Sequence, residues 1–299
     1  MNHRDLMTGF FAGAAFTGSN AYLWQLAHDS APDEFGDDAL AAASEPQTDL
    51  EAPIEGSGKL VATSIEDKVR FFEREFEDDI RLPESEWGLM QSVLIRLERV
   101  QKVVGHGNFN VLSFDDALKF AKRYNSVGEF TKSELNFIEK VFFTEASEYG
   151  FLGEKVTHDL TARISKADTY KVPYSGHFLF KGESLDYYDK LKADIGSNII
   201  LTSGIRSNVK QMHLFLAKAA ASNYNLSKAS RSLAPPGHSF HGIGDFDVGC
   251  VGWGARNFTD QFAETDEFKR MQDLGYVQIR YTQNNRLGVR FEPWHIKVV

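Results

Sequence analysis

A single cysteine, Cys250, stands among the 299 residues, so no internal disulfide can form and no paired-cysteine zinc knuckle is available. Nothing in the sequence specifies a partner that would activate that thiol, and it reads as an inert buried side chain. A surplus of basic charge is missing as well: 33 Lys and Arg face 42 Asp and Glu, a formal net charge of −9. The chain therefore has no electrostatic footprint for a phosphate backbone, and nucleic acid is excluded as the expected partner. The acidity is local. Residues 29–55 hold nine acidic side chains and no Lys or Arg, which leaves 33 charges of each sign elsewhere. Charge of either sign is absent from residues 6–27.

What is present supports a folded protein, with 42% hydrophobic and 13% aromatic residues, enough for a large core. The uncharged stretch follows Arg4, so residues 1–28 are expected to be a signal peptide or, if uncut, a membrane anchor. The start N-H-R-D-L-M is similar to a twin-arginine export signal, with His3 in place of the first arginine. Residues 29–58 read as an acidic, solvated linker.

Residues 59–165 are expected to form a helical domain. Ile65, Val69, Phe72, Phe76 and Ile80 recur at helical steps, as do Met90, Val93, Leu97, Val100 and Val104. Ser113 and Thr131 each precede a carboxylate by three residues, the pattern of a capped helix start. The intervening residues 125–129 are too short for a calcium loop and read as a plain turn. No catalytic pattern falls in this region, which is expected to pack against the remainder or shape its groove.

Residues 166–299 read as an α+β domain. The periodicity predicts a helix over 184–195, a strand over 199–203, a helix over 259–274 closed by Gly275, and a hairpin of 276–281 with 287–291. The chemistry concentrates here, in S-G-I-R-S at 203–207, P-P-G-H-S-F-H-G-I-G-D-F-D at 235–247 and V-R-F-E-P-W-H-I at 289–296. Two histidines, an aspartate and a further glutamate suit one zinc ion with three protein ligands, an open position for water, and a carboxylate to take the water's proton.

These pieces, with Gln211 and the G-Y-x-x-x-R-Y run at 275–281, occur in the order seen in the zinc D-alanyl-D-alanine carboxypeptidases and related cell-wall peptidases of the VanY type, which the segment from about Tyr187 to Val299 resembles. The resemblance implies a metal site of His241, an aspartate and His295, with Glu292 as general base. It also implies that Arg206 grips a peptide's free carboxylate, since a guanidinium forms two parallel bonds to one. Gln211 and Ser239 would line the same substrate pocket. The interval from His241 to the aspartate is shorter than the family's. Asp245 and Asp247, two apart on a strand, would share a face, so either could reach the metal. Asp247 lies nearer the family spacing and is the assigned ligand. Asp245 is left as a supporting or substrate-contacting carboxylate, and His238 with Asp245 is the rival pair. Glu292 and His295 can enter one cleft only if the strand bends, for which Pro293 supplies a reason, and Trp294 is expected to pack beneath.

The expectation is thus an exported, periplasmic or membrane-tethered zinc peptidase acting on the peptidoglycan stem peptide and removing its terminal D-alanine. The rivals are an endopeptidase of the same fold, cutting for example between L-Ala and D-Glu, and a wall-binding module without metal or turnover.

Overall fold

The computed structural model of the chain describes residues 64–299; the expected signal peptide or anchor and the linker lie outside the described residues. Among the described residues, no helix is long and apolar enough to cross a membrane.

The first half is helical, and the cap chemistry decides where its helices begin. A short helix α1, Ile65–Arg70, starts at Ser64, whose hydroxyl accepts from the Asp67 amide. The helical periodicity of residues 72–80 does not continue it. These residues form turns ending in a bridge between Arg81 and Asn225, because Asp79 is bound in an ion pair with Arg231 instead of facing solvent on a helix. The long helix α2, Glu84–Val104, buries Met90, Val93, Leu97 and Val100 on one face. A single turn α3, His106–Phe109, leads to α4, Phe114–Arg123, capped by Ser113, and α5, Lys132–Phe143, opened by a complete Thr131–Glu134 capping box. The residues between α4 and α5 form a plain turn, as their length predicts.

A two-stranded antiparallel hairpin follows, β1 at Thr169–Lys171 and β2 at Phe178–Phe180. Helix α6, Glu183–Ile195, then precedes β3, Ile199–Ser203. After β3 come α7, Asn208–Ala221, and the short α8, Leu226–Ser230. The central sheet adds β4, Phe246–Cys250, and β5, His295–Ile296, in the antiparallel order β3-β4-β5. The protein is accordingly α+β, with small antiparallel sheets among helices.

The predicted helix over 259–274 is interrupted at Thr265, whose hydroxyl accepts from the Phe268 amide and starts a fresh helix, α9, Asp266–Asp273. The predicted hairpin partners are also shifted. Residues 278–281 pair with the C-terminal segment, where Lys297 donates to the Gln278 carbonyl, Arg280 to the His295 carbonyl and Glu292 to the Tyr281 carbonyl. Residues 287–290 are drawn away by bonds between Leu152 and Leu287 and between Arg290 and Arg231.

Two main cores result. One packs Tyr188, Leu191, Leu201, Phe246, Val248, Met271 and Trp294 between the sheet, α6 and α9. The other unites α2, α4 and α5 with Val209, Met212, Phe215 and Leu216 of α7. This second core crosses the expected boundary between residues 165 and 166, because α7 is buried nearly all round and needs apolar partners on more than one side.

Candidate metal centre

The sheet register sets the centre. Asp247 of β4 stands directly opposite His295 of β5, so two polar side chains become cross-strand neighbours inside a buried sheet. His241 arrives from a single helical turn, Phe240–Gly242, just before β4. The amides of Gly244 and Asp245 both donate to the Phe240 carbonyl, which takes up the short His241–Asp247 interval in a tight loop. Gly244 adopts φ 150° there, and a Cβ on it would press within 3.2 Å of Ser184 and Val299 atoms.

Nitrogen and oxygen atoms of His241, Asp247 and His295 lie within 4.8 Å of one another, all buried. His241 Nε2 is 3.2 Å and His295 Nδ1 3.4 Å from Asp247 Oδ1, and the two imidazole centroids are 4.7 Å apart. Although His241 Nε2 and Asp247 Oδ1 are this close, they are not aligned for a hydrogen bond, and both remain without a hydrogen-bond partner. Each group is held from behind. His241 Nδ1 donates to the Gly204 carbonyl at 2.8 Å, leaving the Nε2 lone pair inward. His295 Nε2 donates to Asp245 Oδ2 at 3.1 Å, leaving Nδ1 inward. Asp247 Oδ2 accepts from Arg206 Nη2 at 2.6 Å, leaving Oδ1 inward. Three lone pairs thus converge while their rear atoms fix ring tautomer and orientation, the arrangement by which proteins prepare metal ligands. Two imidazoles and one carboxylate are a donor set that suits zinc, so the residues present fit the ion. Gly204 is close-packed against β2; a Cβ there would stand 2.1 Å from the Phe178 carbonyl oxygen, so only glycine lets its own carbonyl reach His241.

Asp245 occupies the supporting position rather than the inward one. Arg280 grips it through two bonds of 2.7 and 3.1 Å, and the Val298 amide donates to it at 2.8 Å. The guanidinium of Arg280 also lies 3.7 Å from the Phe240 ring centroid. The rival pair of His238 with Asp245 is not assembled: His238 turns its Nδ1 to the Glu154 carbonyl at 3.1 Å and its ring edge to Phe151.

Glu292 reaches the centre because the chain turns at Pro293–Trp294, where the His295 amide donates back to the Glu292 carbonyl. Its Oε2 lies 3.4 Å from His295 Nδ1, and Oε1 lies 4.0 Å from Arg290. Trp294 is buried in the core beneath. Burial, and then the charge of Arg206, push the His241 imidazole down to about 4. Burial would lower His295 too, but its hydrogen bond to Asp245 and the nearby Glu292 and Asp247 prevail and raise it to about 9, so a cation that takes the Nδ1 lone pair must displace the proton the imidazole otherwise carries there. Asp247 is held well below the usual carboxylate range because His241 and Arg206 outweigh its burial.

The substrate-side expectations fare differently. Arg206 lines a groove of about 390 Å³ with Thr157, Phe180, Ser207, Asn208 and Gly242, but its Nε and Nη2 are taken by Ser203 and Asp247. Gln211 is buried and donates to the Ala234 carbonyl at 2.6 Å, so it braces the P-P-G loop from behind. Ser239 is buried and its carbonyl accepts from the Gly242 amide, closing the turn that carries His241. Cys250 is buried, and desolvation, then Glu267, push its thiol up to about 12, which keeps it unreactive. Sequence reasoning gave Arg280 no role at the site. Its only signal was its place in the G-Y-x-x-x-R-Y run.

Residues 183–299 match the family model described as VanY, D-alanyl-D-alanine carboxypeptidase. Similar solved structures include VanYB in complex with D-alanine-D-alanine, at 21% identity and TM-score 0.36, with 50% of this chain and 84% of that chain covered. Another is a zinc(II) complex of a mutant of the vancomycin resistance D,D-pentapeptidase VanY from a VanB-type resistance cassette, at 24% identity and TM-score 0.32, covering 44% of this chain and 78% of that one. No curated protein matches. The family match spans residues 183–299, the part of the chain that carries the centre.

Proposed function

We propose that the protein is a zinc-dependent peptidase that removes the C-terminal D-alanine from peptidoglycan stem peptides. One observation carries the reading: the inward lone pairs of His241, Asp247 and His295 converge without hydrogen-bond satisfaction at two of them, and a carboxylate, Glu292, stands beside them. Leaving buried polar atoms unmatched costs about 1–3 kcal/mol each, a cost that a bound cation removes.

In this reading His241, Asp247 and His295 hold one zinc ion, which when bound supplies Lewis acidity for the scissile carbonyl and for a water. Glu292 takes the proton of the attacking water and returns it to the leaving amine, as a carboxylate within reach of both can do. Arg206 keeps Asp247 turned inward by holding its Oδ2. Asp245 and Arg280 hold the His295 ring. Export to the wall side belongs to the same proposal and rests on the uncharged segment after Arg4, which suits a chain whose substrate lies outside the cytoplasm.

Mass spectrometry of a D-alanine-terminated pentapeptide muropeptide incubated with zinc-loaded protein tests the reading, with Glu292→Ala alongside. Loss of one alanine, absent in the variant, is the expected result. Internal fragments would move the assignment to an endopeptidase. Unchanged substrate bound tightly without zinc would replace it with a wall-binding module.

A further inference from the structure

The turns at residues 71–79 lie outside the family match, yet they are fastened to the segment that carries Glu292. Arg231 makes the attachment. Its guanidinium pairs with Asp79 and donates to the Phe72 and Arg74 carbonyls, while its own carbonyl accepts from the Arg290 amide at 2.9 Å. The Phe72 ring is thereby set against the Arg290 guanidinium, with 4.8 Å between ring centroid and guanidinium carbon. A second ring, Trp294, contacts the same guanidinium at 4.9 Å, and Arg290 Nη2 donates to the Phe258 carbonyl at 3.0 Å.

Arg290 stands two residues before Glu292, and both are buried, at 6% and 7% exposure. Its Nε lies 4.0 Å from Glu292 Oε1, while Glu292 Oε2 lies 3.4 Å from His295 Nδ1. The carboxylate is thus flanked by a guanidinium at one oxygen and an imidazole at the other. A cation that takes the Nδ1 lone pair removes the proton His295 could offer, and leaves Arg290 as the basic side chain beside Glu292. Opposite charges at this separation attract well away from bulk water, but the attraction orients the carboxylate only if the guanidinium is itself fixed. Here it is. Two rings, the Phe258 carbonyl and the bond to Arg231 leave its plane few other positions.

We propose that Arg290 is a positioning residue for Glu292, and that Phe72, reaching in from residues 71–79, sets its orientation. This rests on the peptidase reading above. A segment ahead of the helical half then governs turnover without touching a metal ligand.

The test uses the zinc-loaded full chain, a D-alanine-terminated pentapeptide, and the variants Arg290→Met, Arg290→Lys and Phe72→Ala. Arg290→Met should lower kcat by about tenfold or more, with KM and zinc content within about twofold of the wild type. Arg290→Lys, which keeps the charge but not the planar stack, should recover part of that loss, and Phe72→Ala should lower kcat by about threefold or more. Thr131→Ala, a helix-cap change remote from the centre, controls for general destabilisation and should leave kcat unchanged. Denaturant unfolding gives a readout apart from turnover. Phe72→Ala and Glu292→Gln should be non-additive, by about threefold or more in the unfolding constant, and the excess should vanish when Arg290 is replaced by Met. Should Arg290→Met not fold, Arg290→Lys takes its place in both measurements. Additive unfolding effects, an unchanged kcat in the Arg290 and Phe72 variants, or a loss of zinc that matches the loss of kcat overturns the proposal. If the wild type releases no D-alanine yet the Arg290-dependent coupling is present, the peptidase reading fails and the positioning of Glu292 stands.

Discussion

Glu134 in the helical half and Asp247 in the sheet are both buried carboxylates facing an arginine, but they are satisfied to different degrees. Glu134 is matched on both oxygens, by Arg96 at 3.0 Å, Ser92 at 2.5 Å and the Thr131 amide at 2.7 Å. Asp247 gives one oxygen to Arg206 and leaves the other, with His241 Nε2, facing inward without a hydrogen bond. Where polar groups are matched, they serve to fix helix ends and their packing. Where several unmatched atoms converge, the fold is complete only with something else bound. Other orphaned atoms, such as Gln101 Oε1 in α2, do not belong to the donor cluster and so lack that implication.

The contrast breaks most sharply at Glu292, which should matter for turnover and little for the centre's assembly. Glu292→Ala is expected to lower the rate of D-alanine release by about 10²- to 10⁴-fold. Zinc content and melting temperature should stay near those of the wild type. Metal analysis beside the kinetics checks this, and a variant that loses its zinc would show that Glu292 is a ligand.

The matched region predicts the reverse. Arg231 and Asp79 are 3% and 1% exposed and bonded at 2.7 and 3.1 Å, with further arginine bonds to the carbonyls of Phe72 and Arg74. Removing one partner leaves a buried charge alone. Asp79→Ala should cost about 3–5 kcal/mol in denaturant unfolding, with zinc affinity of the folded fraction unchanged. A coupled loss of zinc affinity would mean that the two regions do not act separately.

Much of the centre could be read from the sequence because each donor sits in a short local pattern: His241 after Ser239, and Glu292 three before His295 around Pro293. The i, i+2 spacing of Asp245 and Asp247 implied that the two share a face, and both do reach His295, one from each ring nitrogen. What separates them is not local. Asp245 turns to Arg280 and the chain's last amides, and Asp247 to Arg206, contacts between residues 35 and 41 positions apart that depend on strand register. The fold was legible where caps are written in side chains, as at Ser113 and Thr131, and was missed where a tertiary bond overrides periodicity, as at Asp79, or where a local cap interrupts an otherwise continuous pattern, as at Thr265. The core shared by α2 and α7 was hidden for the same reason, since an apolar helix does not state in its sequence which element covers it.

A finer comparison sets a group behind the centre against the centre itself. Asp245→Asn keeps the size of the side chain but removes the charge that Arg280 and His295 share, so the His295 ring loses its anchor. Zinc affinity is expected to fall by about 10- to 100-fold, the usual scale for such rear partners. Competition with a chelating indicator measures it. An unchanged affinity would show that the Tyr281 ring, edge-on to His295 with centroids 4.9 Å apart, suffices to position it.

The smallest effect belongs to the helical half, where a matched group can be removed without stranding a charge. In the capping box Thr131 accepts from the Glu134 amide at 3.2 Å, while Glu134 keeps its bonds to Arg96, Ser92 and the Thr131 amide if only the hydroxyl is lost. Thr131→Ala therefore exposes one helix-start amide and nothing more, and denaturant unfolding should report a loss of about 1 kcal/mol. Zinc affinity and turnover should be unaffected, because α5 contributes no atom to the centre. A loss several times larger would mean that the Thr131 hydroxyl also orients Glu134 toward Arg96, so that the box and the buried ion pair form a single unit in the helical half.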